Sequence, residues 1–344
     1  MQDSNHIQNL APFMTKLQKG FALDGADYEQ IFSALMSKEY DIIQLAGLLV
    51  LISEKSLYPD SLCALVQNIL RYSNTFNDAQ AMFDIVGTGA DGLKTINIST
   101  TVSFILASLG VKVAKHGNGA ISSQSGSSNT LQAIGIKLDS DINALRDLLA
   151  KKGLAFFHAP FFHKAVGEVA PVRKRLKIGT VFNVLGPLLN PNTALTHQIM
   201  GNYLEEVNFL LAQTLMKLGR THALVVHGMD GMDEISLCDE TLIHELKDGH
   251  IYEYRITPEQ FGFKRAFHTD IQGGDSAQNA KILQDTLKGE LKGAKRDIVV
   301  LNAMFALYTA DKAKSPSDAK FIIEDALDSG RAWEFYQNYI SEFK

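Results

Sequence analysis

Apolar residues recur at helical spacing through the first part of the chain. They lie three or four positions apart in YEQIFSALM (residues 28–36) and in IIQLAGLLVLI (42–52). Asp60 and Ser61 stand where they could cap a further helix, SLCALVQNILRYS. No strand pattern occurs between about residue 8 and residue 75. The sequence therefore predicts a small helical domain over residues 1–75.

Near residue 80 the pattern changes to short apolar runs that end in loops and lead into helical segments. The run in AMFDIVGTGADG precedes a helix that starts near Asn97 or Ser99 and ends before Gly110. The run in VKVAKHGNG precedes a helix that ends at Gly135. Further strands are predicted in LAFFHAP, THALVVHGMDG and RDIVVLNA. This alternation is typical of a mostly parallel sheet with helices on both faces.

The predicted fold class is thus α/β, with residues 76–344 forming a larger α/β domain beside the helical one. The segment VGEVAPVRKRLKIGTVFNVLGPLLNP interrupts the alternation. It begins as a helix and becomes loop-like around Gly186, Pro187 and Pro191. We expect this part, near residues 165–190, to return to the N-terminal helices and to form a hinge. Ligands bind such sheets beyond the carboxyl ends of the strands, where the loops of this chain fall.

Composition narrows the class of protein. The chain has 344 residues, of which 46% are apolar and 21% charged, as in ordinary soluble proteins of about two domains. A net charge of -5 argues against a nucleic-acid-binding surface, and the apolar runs are too short to span a membrane. The N-terminus lacks a signal-peptide pattern, and Cys63 and Cys238 have neither metal-type nor redox-type spacing. We therefore expect a cytoplasmic protein without a disulfide.

The first candidate site is the glycine-rich loop Gly87–Gly92, after the first predicted strand. Glycines let backbone N–H groups approach an anion, and the N-terminus of the next helix adds positive potential. A dinucleotide site would need an acidic residue after the second strand, but Lys115 and His116 stand there. A nucleotide-binding P-loop would place lysine directly after its last glycine, where Leu93 lies. Asp91 suits a ligand with ribose hydroxyls or Mg²⁺, and a tight turn without ligand is the other interpretation.

The second candidate loop, KHGNGAISS (residues 115–123), follows the next strand. Its lysine and its serines, with Ser125 and Ser127 beyond them, suit a phosphate or a pyrophosphate. A polar capping loop also favours serines. Two such loops on neighbouring units would converge on one cleft, which favours the ligand-binding interpretation.

The charge run around Arg173, APVRKR, has two interpretations. Such a run is usually a solvated helix face, but an arginine that reached the cleft would bind a carboxylate with its planar guanidinium.

The acidic segment HGMDGMDE (residues 227–234) follows the strand ALVV. Asp233 and Glu234 could hold Mg²⁺ through carboxylate oxygens. An acidic surface turn would have the same sequence.

These four motifs, in this order, resemble the anthranilate phosphoribosyltransferases along nearly the whole chain. That family has GTGGDG, N-x-S-T, KHGN with a serine-rich tail, P-V-R before FN-x-LGPL-x-NP, and HG-x-DG-x-DE. The counterparts here are Gly87–Gly92, Asn97–Thr100, Lys115–Asn118, Pro171–Arg173 with Phe182–Pro191, and His227–Glu234.

The resemblance implies a helical and an α/β domain that meet at a hinge, a homodimer joined through the helical domain, and Mg²⁺ as cofactor. It also implies a step of tryptophan biosynthesis: transfer of the 5-phosphoribosyl group of phosphoribosyl pyrophosphate (PRPP) to the amine of anthranilate. The residues it assigns to PRPP are Gly87, Ala90, Asp91, Thr95, Asn97, Ile98, Ser99, Thr100, Lys115, His116, Gly117, Asn118, Gly119, Ala120, Ile121, Ser122, Ser123 and Ser127. Those it assigns to anthranilate are Gly87, Asn118 and Arg173, and those it assigns to Mg²⁺ are Ser99, Asp233 and Glu234.

Three positions depart from the family pattern. Ala90 replaces a glycine, Gly119 replaces the arginine common after KHGN, and Asn129 replaces an acidic residue. The first change is small, and the second removes a possible anion contact.

No general base is required by this chemistry, because an aromatic amine is already unprotonated at neutral pH. His116 could serve as one, but a histidine bonded to backbone is the simpler interpretation. Two other functions stay open: a pyrimidine nucleoside phosphorylase with the same two-domain plan, and a non-catalytic relative that binds nucleic acid.

Overall fold

The computed structural model describes residues 7–78, 80, 82–89, 91–118 and 126–344. The α-helices in those ranges are α1 (Ala11–Gln18), α2 (Gly25–Ser37), α3 (Ile42–Lys55), α4 (Pro59–Arg71), α5 (Ile98–Ser108), α6 (Ser127–Ala133), α7 (Ile142–Lys152), α8 (Ala159–Phe162), α9 (Lys164–Leu176), α10 (Phe182–Leu185), α11 (Asn208–Lys217), α12 (Ser276–Leu287), α13 (Ala294–Thr309), α14 (Pro316–Asp328) and α15 (Arg331–Ile340). The strands are β1 (Phe83–Gly87), β2 (Val113–Gly117), β3 (Leu154–His158), β4 (His197–Gly201), β5 (His222–Gly228), β6 (Thr241–Lys247) and β7 (His250–Ile256).

The N-terminal helices start at residues that satisfy free backbone N–H groups. Asp24 accepts hydrogen bonds from the first turn of α2, and Asp41 does the same for α3. The prediction that Asp60 or Ser61 caps α4 is wrong, because α4 begins one residue earlier at Pro59, whose fixed φ suits a first helical turn. Ser61 is instead buried and donates to the carbonyl of Leu23 at 2.9 Å.

The segment predicted to return to these helices does so. Helix α9 contacts α2 and α3, and its buried Ala165, Val169 and Val172 belong to the same apolar core as the N-terminal helices. That core continues into Leu211 of α11 and Val225 of β5. Apolar residues from before and after position 75 thus share one core. A domain boundary at residue 75 therefore stays a prediction.

The strands form one mixed sheet in the order β3-β2-β1-β4-β5-β6-β7. The first five in this order pair in parallel, and β6 and β7 add an antiparallel hairpin at one edge. Strands β2 and β3 follow β1 on one side of the sheet, whereas β4 and β5 follow one another on the other side. The connections therefore lead in opposite directions from the neighbouring strands β1 and β4. Such a divergence leaves a crevice at the carboxyl ends of the strands.

The predicted fold class is confirmed: a helical N-terminal region with an α/β part built on a mostly parallel sheet. The strand predicted in RDIVVLNA is wrong, because those residues lie in α13. Most of α13 is buried against the sheet core, so its sequence is apolar almost all round and lacks helical periodicity. Within the described ranges, no helix is long and apolar enough to cross a membrane.

Candidate active site

A cavity of about 530 Å³ opens beyond the carboxyl ends of β1 and β2. One wall is formed by the glycine-rich loop after β1, the start of α5 and the end of β2. The opposite wall comes from α8, α9 and the segment that contains α10. Asp233 and Glu234, from the loop between β5 and β6, complete the lining. The cavity therefore lies at the divergence in strand order, between the sheet and the returning helical segment.

Asp233 fixes the glycine-rich loop. Its Oδ2 accepts a hydrogen bond from the N–H of Gly89 at 2.5 Å and one from the hydroxyl of Thr88 at 3.3 Å. A Cβ atom added to Gly87 would lie 2.4 Å from the same oxygen, and one added to Gly201 would lie 1.6 Å from the Asp233 carbonyl oxygen. Glycine is therefore required at both positions so that the loop after β5 can reach the ends of β1 and β4.

Three carboxyl groups meet at this point: Asp91, Asp233 and Glu234. Burial, and then the charge of Asp91, raise the pKa of Asp233. Burial, and then the charge of Asp233, raise the pKa of Glu234, although its carboxylate accepts a hydrogen bond from the backbone of Ser99. Such a cluster holds its negative charge poorly by itself, and a bound cation would relieve the repulsion.

Lys115 is a buried cation beside these carboxyl groups. Its Nζ donates to the carbonyl of Ile85 at 2.6 Å and to the hydroxyl of Ser99 at 3.2 Å. Burial lowers the pKa of Lys115, whereas the charges of Asp84, Glu234 and Asp233 raise it. The ammonium is thereby fixed at the N-terminus of α5, where backbone N–H groups also attract anions.

Asn97 and the second loop lie next to this cation. The side-chain oxygen of Asn97 accepts from the hydroxyl of Thr130 at 2.7 Å. The hydroxyl of Ser127 donates to the carbonyl of Asn118 at 2.9 Å, which joins the start of α6 to the end of the KHGN motif. These bonds leave Asn97, Asn118 and Ser127 on the cavity wall.

The imidazole of His116 is hydrogen-bonded to a backbone carbonyl, as expected for a structural histidine rather than a general base. Its Nδ1 lies 3.1 Å from the carbonyl oxygen of Gly186, and its Nε2 lies 3.1 Å from Nε2 of His163. His163 Nδ1 in turn lies 2.9 Å from the hydroxyl of Ser73. Burial, and then His163, hold the pKa of His116 well below its ordinary value, and burial lowers that of His163 to about 4. Both imidazoles are therefore neutral at pH 7 and join β2 to the helical segments.

Arg173 reaches the cavity. Its Nη2 donates to the side-chain oxygen of Asn183 at 3.1 Å, and its guanidinium lies over the ring of Phe182, 5.4 Å from the centroid. Lys174 and Arg175 are exposed on the same helix. The solvated-face interpretation of the charge run thus holds for those two residues and is wrong for Arg173.

Most of the site residues predicted from the sequence lie within the described ranges. All of these except one line the cavity. Those that line it are Gly87, Asp91, Thr95, Asn97, Ile98, Ser99, Lys115, His116, Gly117, Asn118, Ser127, Arg173, Asp233 and Glu234. The exception is Thr100, whose side chain is fully buried. Ala90, Gly119, Ala120, Ile121, Ser122 and Ser123 lie outside the described residues.

Sequence reasoning did not assign several residues of the far wall. His163 is one of them, because a single histidine without a neighbouring motif does not indicate a site. Phe182, Asn183 and Pro187 lie in the FN-x-LGPL-x-NP segment, a motif to which the sequence assigns no ligand. The glycine and proline content of that segment was the available signal. Lys94 lies on the near wall. The sequence predicts no role for it, because Leu93 separates it from the last glycine of the loop.

Comparison with known proteins agrees with this geometry. Residues 79–333 match the profile described as "Glycosyl transferase family, a/b domain". The anthranilate phosphoribosyltransferase of Methanosarcina acetivorans is 41% identical over 341 residues, which is 98% of this chain and 91% of that protein. The enzyme of the same name from Geobacter sulfurreducens is 48% identical over 255 residues, covering 74% of this chain and 72% of that protein.

Solved structures give the same result. The anthranilate phosphoribosyltransferase of Thermus thermophilus superposes with a TM-score of 0.88 at 35% identity, covering 96% of this chain and 98% of that one. The Saccharomyces cerevisiae enzyme in complex with PRPP and Mg has a TM-score of 0.89 at 24% identity, covering 98% and 99% of the two chains. This second likeness shows the fold alone. Given the profile match and these full-length identities, the chain belongs to the anthranilate phosphoribosyltransferase family.

Proposed function

We propose that this cavity transfers the 5-phosphoribosyl group of PRPP to the amine of anthranilate and releases pyrophosphate. One observation carries the proposal: a single cavity brings a glycine-rich loop, a buried lysine and a carboxyl cluster together with a half-buried arginine from the opposite wall. The first three suit a diphosphate with its counter-ion, and the arginine suits a carboxylate acceptor. Each ligand would then approach from one wall, with the reacting atoms between them.

PRPP would bind along the sheet side. The glycine-rich loop and the N-terminus of α5 present backbone N–H groups, and Lys115 adds a fixed positive charge next to Ser99. Asn97 and Asn118 offer amide groups for ribose and phosphate oxygens. Asp91 is placed to accept hydrogen bonds from ribose hydroxyls or to join the cation site.

Anthranilate would bind toward α9. Burial lowers the pKa of Arg173, but a guanidinium stays charged, and its planar donors match a carboxylate. The ring of Phe182 and the bond to Asn183 hold that guanidinium in place. Asn118, at the junction of the two walls, would orient the acceptor amine.

The residues present also fit Mg²⁺. Asp233 and Glu234 offer the hard oxygen ligands this ion prefers, and Ser99 lies beside Glu234. Burial and neighbouring carboxyl groups raise the pKa of both acids, and a bound cation would offset that repulsion. When bound, Mg²⁺ supplies charge that stabilises the pyrophosphate leaving group.

The chemistry then needs mainly positioning and electrostatics. The bond from C1 of the ribose to the pyrophosphate oxygen breaks, and the amine nitrogen forms the new bond to C1 from the opposite side. The nitrogen then carries one proton too many and releases it to solvent water. His116 and His163 are neutral and hydrogen-bonded, so we assign neither of them as an obligatory base. Their role here is to hold the loops around the substrates.

The experiment is an assay of purified protein with PRPP, Mg²⁺ and anthranilate. Loss of anthranilate fluorescence should match pyrophosphate release one for one, and both should stop when Mg²⁺ is chelated. Pyrophosphate release without anthranilate consumption would contradict the assignment of the acceptor.

We further propose a homodimer that forms through the helical region and a cytoplasmic location. Ile7, Phe21 and Ile43 lie in this region and are each more than half exposed, at 58%, 62% and 78%, as suits an apolar interface. Sedimentation of Ile43→Asp, which should shift the protein toward monomer, tests the dimer. Unpaired Cys63 and Cys238 suit a reducing compartment.

A further inference from the structure

Three donor side chains of different chemistry lie together behind the acidic loop, outside the cavity lining. They are the Asp230 carboxylate, the Cys238 thiol and the His268 imidazole, with one donor atom of each within 4.8 Å of the others. Asp230 lies in the turn after β5, Cys238 precedes β6, and His268 lies in a short 3₁₀ helix after β7. Residues far apart in sequence are thus brought to one point.

The backbone around the cluster is well fixed. The N–H of Ala266 donates to the carbonyl of Leu237 at 3.1 Å, so the segment that carries His268 is hydrogen-bonded to the segment that carries Cys238. The hydroxyl of Ser236 donates to Asp230 Oδ2 at 2.7 Å and accepts from the N–H of Cys238 at 2.9 Å. The Asp230 side chain is 6% exposed.

The His268 imidazole lacks the hydrogen-bond partners that a structural histidine usually has. Its Nδ1 is shielded from solvent and has no hydrogen-bond partner within the described part of the chain. Its Nε2 lies 3.6 Å from Asp230 Oδ2, beyond ordinary hydrogen-bond length. A buried ring nitrogen without a partner costs free energy, and a cation coordinated by that nitrogen would remove the cost.

The local charge also favours a cation. Burial, and then the charges of Asp230, Asp270 and Asp239, raise the pKa of Cys238 to about 11. Of these carboxylates, Asp239 pairs with Arg265 at 2.9 Å, and the same guanidinium also pairs with Glu259 at 2.9 Å. Binding of a metal would displace the thiol proton.

We propose that Asp230, Cys238 and His268 form a zinc-type metal site with a fourth position for water. One oxygen, one sulfur and one nitrogen donor suit Zn²⁺, whereas Mg²⁺ and Ca²⁺ avoid thiolates. With metal–ligand distances of about 2.0–2.3 Å, tetrahedral donors lie about 3.3–3.8 Å apart. The cluster reaches this spacing through a shift of about 1 Å, and His268 can move because its side chain is 41% exposed.

Such a site would stabilise the loop that also carries Asp233 and Glu234. Asp230 stands three positions before Asp233, and its Oδ1 accepts from the N–H of Met232 at 3.2 Å. A metal at Asp230 would therefore hold this loop to the segment after β7. The inference does not depend on the proposed transfer reaction, since it concerns ligands that lie outside the cavity.

The test uses Co²⁺ as a probe on the metal-free, full-length protein in excess Mg²⁺, which occupies carboxylate-only sites. We expect one Co²⁺ per chain with a near-ultraviolet thiolate-to-cobalt absorption band, displaced by Zn²⁺. Cys238→Ser should abolish the band. Partly exposed His268→Gln, which should fold normally, should weaken Zn²⁺ binding about a hundredfold or more.

Matched controls are Cys63→Ser, for the thiol in α4, and His250→Gln, for an exposed imidazole at the start of β7. Both should leave the band and the affinity unchanged. Failure of the wild-type protein to develop the band at saturating Co²⁺ would overturn the proposal, and so would a band that persists in Cys238→Ser. Circular dichroism confirms that each variant is folded.

Discussion

Arg173 differs from its neighbours in the same charge run because its guanidinium is held over Phe182 and bonded to Asn183. At the scale of single residues, this placement separates a ligand-binding arginine from solvated ones.

Arg173→Ala should raise the KM for anthranilate about tenfold to a hundredfold and change the KM for PRPP little. The reason is the loss of one charge-assisted bond, worth about 1.5–3 kcal/mol. Steady-state kinetics with each substrate varied in turn measure the effect, and Arg175→Ala on the exposed side of α9 is the control. Equal changes in both KM values would show that Arg173 does not select the acceptor.

Asp233 and Glu234 should be needed for turnover. Combined Asp233→Asn and Glu234→Gln should lower kcat about a hundredfold to a thousandfold, as expected for lost electrostatic stabilisation, and higher Mg²⁺ should restore part of it. Asp233→Asn alone should also weaken PRPP binding, because Asp233 holds the loop at Gly89.

A Mg²⁺ titration of the variants measures both effects. Asp248→Asn, in the exposed turn between β6 and β7, is the control. Wild-type turnover by the double variant at every Mg²⁺ concentration would contradict the assignment.

His163 should make the protein less stable in acid. Its folded-state pKa of about 4 lies below the unfolded value of 6.5, so the unfolded chain binds a proton more readily between these values. The stability it contributes is complete above pH 6.5 and is lost as the pH falls toward 4. Over that interval the loss is about 3 kcal/mol.

Denaturant unfolding of the wild-type protein and of His163→Gln at several pH values isolates this contribution from that of buried acids such as Asp84. The free energy of unfolding of the variant should fall less steeply between pH 6.5 and 4.5. Parallel pH dependences in the two proteins would refute a neutral, buried His163.

At this scale, the sequence predicted cavity residues that belong to recognisable motifs. It missed residues that reach the cavity only through the packing of distant segments. Arg173 and Asp233 belong to ordered motifs. His163 contacts His116 across 47 positions of the chain, and no local spacing indicates that contact. Thr100 shares a motif with Ser99, yet the turn of α5 points its side chain into the core.

At the scale of elements, the loop after β5 matters most, because it connects the carboxyl group of Asp233 to the ends of two strands. Its path depends on Gly87 and Gly201, which leave room for Asp233.

Gly201→Ala should therefore displace the loop. The added Cβ would lie 1.6 Å from the Asp233 carbonyl oxygen, and relief of that overlap should cost about 1–3 kcal/mol of stability and lower kcat. Thermal unfolding and steady-state kinetics give the two quantities. Gly25→Ala, which meets no atom within 4 Å, should leave both unchanged or raise stability slightly. An unaffected Gly201→Ala variant would contradict this role of the loop.

Element prediction succeeded where the pattern was periodic and failed where burial was uniform. Helices α2 and α3 have one apolar face, and their sequence shows it. Helix α13 is buried on nearly every side, so its centre resembles a strand. The hairpin of β6 and β7 was not predicted. The segment YEYRI of β7 alternates apolar and polar residues, but β6 is buried along nearly its whole length and its sequence shows no such alternation.

At the scale of the whole molecule, the cavity exists because strand order diverges between β1 and β4 and because α9 and α10 return across that gap. The sequence predicted the alternation of strands and helices and the return of the segment near residues 165–190. The sequence could not predict the strand order, because no local pattern indicates which distant strands pair.

The same plan would also suit a pyrimidine nucleoside phosphorylase, which would hold free phosphate at the glycine-rich loop. In that case Arg173 and the acidic pair would have no ligand to bind. Their positions in the cavity lining favour the transferase.

The most direct measurement compares the two reactions in one preparation of the purified wild-type protein. One sample receives PRPP, Mg²⁺ and anthranilate, and the other receives phosphate with thymidine or uridine. Our account predicts PRPP-dependent consumption of anthranilate with formation of N-(5-phosphoribosyl)anthranilate, and no phosphorolysis of the nucleosides. Phosphorolysis without any PRPP-dependent loss of anthranilate would contradict it.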